Sequence, residues 1–273
     1  MSLRTYIILL ILLLVSSCSE YQKVLKSTDY DLKKQRAKEY YDAGKYVKST
    51  ELFAQLIPRY RATDEGEDMI WMNAQSYYGM KQYDMAETEF KSYVEQYGYG
   101  KYIEEAYYMQ AICDYNISPR AELDQENTRK AIEEFTIFTA KYPNSSRVDE
   151  CNKMMNELHE RLVEKSYISA KLYYDMKEYK AAVVALSNSL KQFAETKYRE
   201  EMMFLKLNSL YQYAVNSYAA KQKERYQSAL DDYYSFMEEF PKSKYSKDVK
   251  KIYQETAKAL KIQAPASEAK TTN

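Results

Sequence analysis

The sequence is poor in glycine and proline, the residues that form most turns. Each occurs only five times among 273 residues, whereas average usage is roughly 7% and 5%. Sheet-rich folds need many such turns between short strands, so this scarcity disfavours them. The chain is nevertheless 45% hydrophobic and 15% aromatic, which is enough apolar material for a folded core. These proportions predict a folded and predominantly helical protein.

The chain also lacks an excess of charge of either sign. Lysine and arginine together number 40, and so do aspartate and glutamate. Proteins that bind nucleic acid through its phosphates carry a basic face that usually shows in the overall balance. The composition therefore argues against nucleic acid as a partner.

Residues suited to catalysis or metal binding are scarce. The single histidine, His159, lies in a polar stretch that predicts an exposed helix position. No glycine-rich phosphate loop, G-x-S-x-G or H-E-x-x-H motif occurs. Cys113 and Cys151 show no metal-ligand spacing, and we expect small buried groups there, with a disulfide between them as the open alternative. The sequence predicts no enzyme, no metal site and no cofactor.

An export signal stands at the N-terminus. Residues 1–17 contain one cation, Arg4, followed by an uncharged run from Tyr6 to Val15. Ten apolar residues rise about 15 Å as a helix, which is half of the roughly 30 Å hydrocarbon core of a bilayer. We therefore interpret residues 1–17 as a signal peptide and not as a membrane span.

A cysteine follows this signal directly. The motif Val-Ser-Ser-Cys at residues 15–18 resembles a bacterial lipobox, with ordinary signal cleavage and an incidental cysteine as the alternative. The resemblance implies that Cys18 becomes the mature N-terminus and carries diacylglycerol and an N-acyl chain, which together would anchor the protein stably. We expect residues 18–28 to form a lipidated tether that reaches at most about 35 Å.

An internal repeat sets the architecture. The reference position holds a small residue in five copies, Ser49, Ala86, Ala131, Ala182 and Ala229. Four positions later stand Phe53, Phe90, Phe135, Leu186 and Tyr233, and eleven positions later stand Tyr60, Tyr97, Tyr142, Phe193 and Phe240. Three positions earlier stand Tyr46, Tyr83, Thr128, Tyr179 and Tyr226. These offsets share one side of a helix, so each copy predicts an amphipathic helix with an apolar stripe.

A second helical pattern precedes three of the copies. Alanine stands twelve positions before the reference residue and is followed by paired tyrosines, as at Ala37, Ala74 and Ala170. A short turn such as 43–45 separates the two patterns, which makes the two helices antiparallel. Each copy therefore predicts a helical hairpin, and such hairpins bury their apolar faces by stacking.

This motif resembles the tetratricopeptide repeat. The reference residues stand 37, 45, 51 and 47 positions apart, longer than the usual repeat of about 34, which predicts extended helices and inserted loops such as 118–127. The resemblance implies an all-α, tetratricopeptide-type helical-hairpin solenoid of five repeats, continuous over residues 29–260. Residues 261–273 are polar and rich in small residues, and they predict a disordered tail.

Tyrosine is the one residue in clear excess, with 31 copies. Most occupy repeat positions and belong to the predicted core. The others could line a groove, because tyrosine offers apolar area and a hydroxyl at a low entropy cost. The candidate partner-binding residues are Tyr97, Tyr99, Tyr102, Tyr107, Tyr108 and Arg199.

The lipobox, the short tether and five long hairpins together resemble the BamD family of outer-membrane protein assembly lipoproteins. The most specific stretch runs from Ala131 to Leu190 and includes Tyr-Pro-Asn-Ser at 142–145. The fourth repeat departs from the family pattern, since relatives commonly carry an arginine where this chain has Ala185-Leu186, and Tyr-Pro where it has Phe193-Ala194.

The resemblance implies a lipid-anchored scaffold in the outer membrane that faces the periplasm. Its C-terminal repeats would contact a periplasmic domain of the β-barrel assembly subunit, and its N-terminal repeats would receive unfolded outer-membrane protein segments. The alternative is another tetratricopeptide-repeat envelope lipoprotein, one that coordinates peptidoglycan synthesis or secretin assembly.

Overall fold

The computed structural model describes residues 20–61 and 63–262, and over these residues the chain is all α-helical, as predicted. Residues 1–17, Cys18 and most of the predicted tail lie outside the described residues. The helices, numbered α1 to α11, are Tyr30–Asp42, Tyr46–Leu56, Asp64–Gly79, Tyr83–Gln96, Ile103–Ile117, Glu126–Lys141, Val148–Asp175, Tyr179–Gln192, Arg199–Val215, Ala219–Glu239 and Ser246–Leu260. A short helical segment at 20–26 precedes them.

The chain divides into two compact units, with the boundary after His159. The first unit contains α1 to α6 and the beginning of α7, and the second contains the rest of α7 and α8 to α11. Successive helices contact each other within each unit, and the short turns that join them make neighbouring helices antiparallel. The range 29–260, predicted as one continuous domain, therefore contains two compact units.

The repeat stripe on the second helix of each hairpin is the core. The five reference residues have no exposed surface, and the residues four positions later are at most 9% exposed. The helical period adds a buried position seven places after the reference, which holds Leu56, Tyr93, Phe138, Ser189 and Phe236. The small reference residue lets the neighbouring helix approach closely, and the larger side chains fill the space on either side of it.

The first helix of every hairpin carries a small buried residue with a tyrosine four positions later. The small residues are Ala37, Ala74, Ala111, Ala170 and Ser209. The tyrosines are Tyr41, Tyr78, Tyr115, Tyr174 and Tyr213. In repeats 3 and 5 the small residue precedes the reference by twenty positions rather than twelve, because a loop before α6 and a longer α10 add residues. Sequence reasoning missed these two copies for that reason.

The tight turns of repeats 1, 2 and 4 share one backbone geometry. The residue five positions before the reference has a positive φ in each, 67° at Gly44, 59° at Lys81 and 63° at Lys177. This region suits glycine, whereas a residue with a Cβ loses roughly 1 kcal/mol there. Backbone hydrogen bonds hold the turn, for example from Lys81 N–H to the Tyr78 carbonyl at 2.9 Å.

Replacing Lys81 with glycine is expected to stabilise the protein by about 0.5 to 1 kcal/mol and to raise its Tm by about 2 °C. The change removes the Cβ from the left-handed position and deletes only an exposed side chain. Thermal melting followed by circular dichroism measures the effect. Lys91→Gly is the matched control, because Lys91 is exposed in the middle of α4 and glycine should cost about 1 kcal/mol there. Equal losses in both variants would contradict the strain at Lys81.

The N-terminal segment at 20–26 is folded onto the first hairpin. Tyr21 and Val24 are 5% and 4% exposed and belong to the apolar cluster that contains Leu52 and Phe53. The reach of at most about 35 Å for residues 18–28 assumed an extended chain, and the helix over 20–26 shortens it. Tyr21 and Val24 stand three positions apart, so a helical conformation lets both side chains reach the same apolar cluster.

Candidate partner-binding surfaces

Four of the five second helices end in one kind of loop, and this loop determines where the candidate tyrosines lie. The aromatic residue eleven positions after the reference closes the helix with φ between −127° and −124° at Tyr97, Tyr142, Phe193 and Phe240. Three positions after this aromatic residue, a side-chain hydroxyl accepts a hydrogen bond from the backbone N–H two residues further along the chain. The Ser145 hydroxyl accepts from Arg147, the Thr196 hydroxyl from Tyr198 and the Ser243 hydroxyl from Tyr245. Repeat 2 has Gly100 there, and the Tyr93 hydroxyl accepts the bond from Tyr102 N–H at 2.9 Å.

The residue sixteen positions after the reference stacks back onto the first helix of its own hairpin. In repeat 2, the Tyr102 ring lies parallel to Trp71 with centroids 4.6 Å apart. The corresponding pairs in repeats 4 and 5 are Tyr198 with Tyr167 and Tyr245 with Phe204, each at 4.2 Å. In repeat 3, the Arg147 guanidinium covers the Tyr108 ring at 4.0 Å. These contacts fix each loop against the hairpin that it leaves.

Three of the predicted tyrosines therefore act in this packing. Tyr102 stacks on Trp71, and its hydroxyl donates to Asp68 at 2.9 Å. Tyr108 is 5% exposed, and burial raises the pKa of its hydroxyl to about 12. Tyr97 is half-buried and packs on Tyr93. These rings pack within the first unit, and a partner-binding role for them stays a prediction.

The other two tyrosines lie closer to solvent. The Tyr107 hydroxyl accepts a hydrogen bond from Lys141 at 2.8 Å, and the same ammonium covers its ring at 4.1 Å. Tyr99 exposes its whole ring at the tip of the loop between Gly98 and Gly100. Of the five candidate tyrosines, Tyr99 is thus the one fully available to a partner, and its role stays a prediction.

Arg199 forms a bidentate ion pair inside the second unit. Its Nε and one terminal nitrogen donate to the two carboxylate oxygens of Glu239, the latter at 3.0 Å, and the other terminal nitrogen donates to the Ala194 carbonyl at 3.1 Å. Hydrogen bonding to Glu239 raises the pKa of Arg199. The side chain ties the start of α9 to the end of α10, which is a structural role.

The remaining chemically reactive residues are isolated. Cys113 and Cys151 are both buried and free, so they form no disulfide. Burial raises the pKa of the Cys151 thiol to about 11 and raises that of Cys113 as well. His159 is exposed, as predicted. Within the part of the chain that the structure describes, no group of three or more histidine, cysteine or acidic side chains could hold a metal ion.

A groove of about 270 Å³ separates α1 from α3 in the first unit. Its apolar floor is formed by Phe53, Met69 and Met72. Phe53 and Met69 are nearly fully buried. Charged groups form its rim, where the Lys34 ammonium pairs with Glu65 at 2.9 Å. An apolar floor with a charged rim suits an extended peptide, and methionine adapts to varied side chains.

The fourth hairpin exposes an apolar patch in the second unit. Its large members are Leu172, Tyr173, Met176 and Val184, which are between 43% and 60% exposed. Tyr173 and Val184 line a shallow depression of about 450 Å³ together with Ala185. Exposed apolar patches of this kind mark sites of protein contact. Sequence reasoning missed the patch, although Leu172 and Met176 stand four positions apart and off the buried stripe, a spacing that indicates a second apolar face.

Helical hairpins with an adaptable groove and an exposed apolar patch define a protein-interaction scaffold of the tetratricopeptide type. A family model described as YfiO, outer membrane lipoprotein, matches residues 31–225. The match spans more than two thirds of the sequence. The chain belongs to this family of outer membrane lipoproteins.

Other comparisons add less. Among solved structures the chain is similar to the one titled "TPR2AB-domain:pHSP90-complex of yeast Sti1", with 14% sequence identity and a TM-score of 0.37 over 84% of this chain and 98% of that chain. The fold is therefore assigned from the hairpins themselves and not from this similarity. No curated protein matches the chain. Within residues 20–61 and 63–262 no helix has the length and apolar character needed to cross a bilayer.

Proposed function

We propose that this lipoprotein is a BamD-type scaffold subunit of the outer-membrane β-barrel protein assembly complex. The observation that carries the proposal is the presence of two different apolar surfaces, one in each unit. The groove between α1 and α3 suits an extended segment, and the patch on the fourth hairpin suits a folded domain. A scaffold that receives clients and contacts a barrel subunit needs both.

The groove has the chemistry to receive unfolded outer-membrane protein segments. Barrel strands alternate apolar and polar residues with a period of two. In an extended segment, one set of side chains would contact the floor of Phe53, Met69 and Met72, and the other set would face the rim at Lys34 and Glu65. The flexible methionines accommodate many client sequences.

The patch on the fourth hairpin has the chemistry to contact the periplasmic domain of the barrel subunit. The centre of a protein interface is more apolar than its rim and usually contains a few large side chains that contribute most of the affinity. Leu172, Met176 and Val184 provide such a centre, and Lys180 with Asn188 provides a polar edge.

The anchor completes the proposed function. Cys18 lies outside the described residues, and the support for its acylation is the Val-Ser-Ser-Cys motif together with the lipoprotein family match. Acylation there would hold the protein at the periplasmic face of the outer membrane. Intact-mass spectrometry of the mature chain tests this step directly, because diacylglycerol and an N-acyl chain on Cys18 add a defined mass.

Val184→Asp is expected to weaken capture of the barrel subunit about tenfold in pull-downs of the acylated protein from membranes. The substitution places a charge at the centre of the patch, where contact would require its desolvation. Val184 is 57% exposed, so the fold should tolerate the change.

Ile137→Asp is the matched control, because Ile137 is 41% exposed in α6 of the first unit and its loss should leave capture unchanged. Equal capture by Val184→Asp and the parent protein would remove the patch from the proposal. Capture of peptidoglycan-synthesis enzymes or a secretin in place of a barrel subunit would replace the proposed function with the alternative.

A further inference from the structure

The described chain begins two residues after the proposed lipid site, Cys18. Two residues span at most about 7 Å, so a lipid on Cys18 would keep Glu20 within that distance of its point of attachment. Which surface of the first hairpin faces the bilayer therefore depends on the proposed acylation of Cys18.

Glu20 and Tyr21 are fixed to the first hairpin. The Glu20 carboxylate pairs with the Arg36 guanidinium at 2.7 Å. The Tyr21 hydroxyl donates to the Glu51 carboxylate, and its ring packs edge-on against Tyr40 with centroids 5.6 Å apart. With Tyr21 only 5% exposed, little free chain remains between the lipid and the folded repeat, so the hairpin should hold one orientation.

The direction of the 20–26 segment determines that orientation. Its first residues contact Arg36 and Tyr40 in the second half of α1. The chain then returns to Asp29, whose carboxylate caps the start of α1 by accepting Leu32 N–H at 2.9 Å. The segment therefore runs antiparallel to α1, and its N-terminal end lies beside the turn that joins α1 to α2.

The start of α2, directly after that turn, carries a valine with a lysine on either side of it in the sequence. Val47 is 61% exposed, and Lys45 is also exposed. The Lys48 ammonium lies 5.0 Å from the Tyr21 ring centroid. Among the described residues no ion pair engages either lysine, whereas the nearby acid Asp42 is paired with Lys38 at 2.9 Å. An apolar side chain flanked by cations matches the headgroup region of an anionic bilayer.

We infer that residues 43–48, the α1–α2 turn and the first residues of α2, form a membrane-contact surface. Val47 enters the headgroup layer, and Lys45 and Lys48 face the lipid phosphates of the leaflet that carries the Cys18 anchor. The partner is a phospholipid surface with anionic headgroups. The opposite end of the hairpin, near Thr28, points away from it.

The test uses the full-length acylated protein on vesicles of phosphatidylethanolamine and phosphatidylglycerol. A fluorophore is attached to Val47→Cys or, as the matched control, to Thr28→Cys at the other end of the hairpin. Cys113 and Cys151 are fully buried and do not compete for the label. A spin-label quencher on the lipid headgroup should quench position 47 at least threefold more strongly than position 28.

Three other outcomes would each overturn the contact surface, the anchor or the orientation of the hairpin. Equal quenching at positions 47 and 28 in a chain whose mass shows acylation would overturn the contact surface and leave the anchor standing. A mature chain without the added lipid mass would overturn the anchor and this inference together. Strong quenching at 28 with none at 47 would reverse the orientation.

Discussion

Gly66→Ala is expected to destabilise the first unit by about 3 kcal/mol. A Cβ on Gly66 would lie 2.0 Å from the Tyr60 carbonyl oxygen and 2.9 Å from the Tyr97 hydroxyl, and a backbone carbonyl cannot rotate away as a side chain can. The helix start cannot shift easily either, because Gly66 N–H donates to the capping Thr63 hydroxyl at 3.1 Å. Packing between the first two repeats therefore depends on the absence of a side chain at this position.

Thermal melting measures this loss, which should lower the Tm of the first unit by roughly 6 to 12 °C. Gly98→Ala is the control, since the nearest atom to its added Cβ would be 3.7 Å away, at ordinary contact distance. Comparable melting temperatures for the two variants would show that the close approach at Gly66 relaxes without cost.

Asp114→Asn should stabilise the protein at neutral pH and change little at pH 4. Asp114 takes the place of one of the paired tyrosines in the third repeat and is 1% exposed. One carboxylate oxygen lies 3.2 Å from the Lys130 ammonium, and the other is buried without a hydrogen-bond partner among the described residues. Burial raises its pKa to about 6, against the opposing effect of Lys130.

The sign of the pH dependence follows from that raised pKa. The folded state binds the Asp114 proton more tightly than the unfolded state does, so the carboxylate destabilises the fold increasingly as pH rises from about 4 to 6. The total is on the order of 3 kcal/mol. Asparagine removes this penalty, and Lys130 keeps Glu87 as a partner at 3.3 Å.

Melting curves at pH 4 and pH 7 test this prediction. The Tm of Asp114→Asn should match that of the parent at pH 4 and exceed it by several degrees at pH 7. Asp84→Asn, an exposed change in the same neighbourhood, should show no such difference. A lower Tm for Asp114→Asn at pH 7 would mean that the ion pair with Lys130 outweighs the burial cost.

The repeat stripe was predictable because helical periodicity records which side of a helix is buried. The buried residues seven positions after the reference obey the same period, yet they vary from tyrosine to serine, so residue type did not reveal them. The first-helix copies at Ala111 and Ser209 were missed because a fixed spacing of twelve fails when a loop or a longer helix intervenes.

The roles of the candidate tyrosines could not be read from composition, because a tyrosine suits both a core and a surface. What decides between them is a partner distant in sequence, such as Trp71 under Tyr102 or Arg147 over Tyr108. Tyr99 differs because its side chain is fully exposed at the tip of a loop between two glycines. The fold was thus predictable from periodicity, whereas the surfaces depend on contacts between elements.

Cross-linking mass spectrometry of the full-length acylated protein in its native membrane tests the proposal that this outer membrane lipoprotein is a scaffold of β-barrel assembly. Lys180, which lines the depression on the fourth hairpin, supplies a reactive amine at the proposed contact. We predict that Lys180 cross-links predominantly to a barrel subunit through its periplasmic repeats. Cross-links from this lysine to peptidoglycan-synthesis enzymes or to a secretin would contradict the claim.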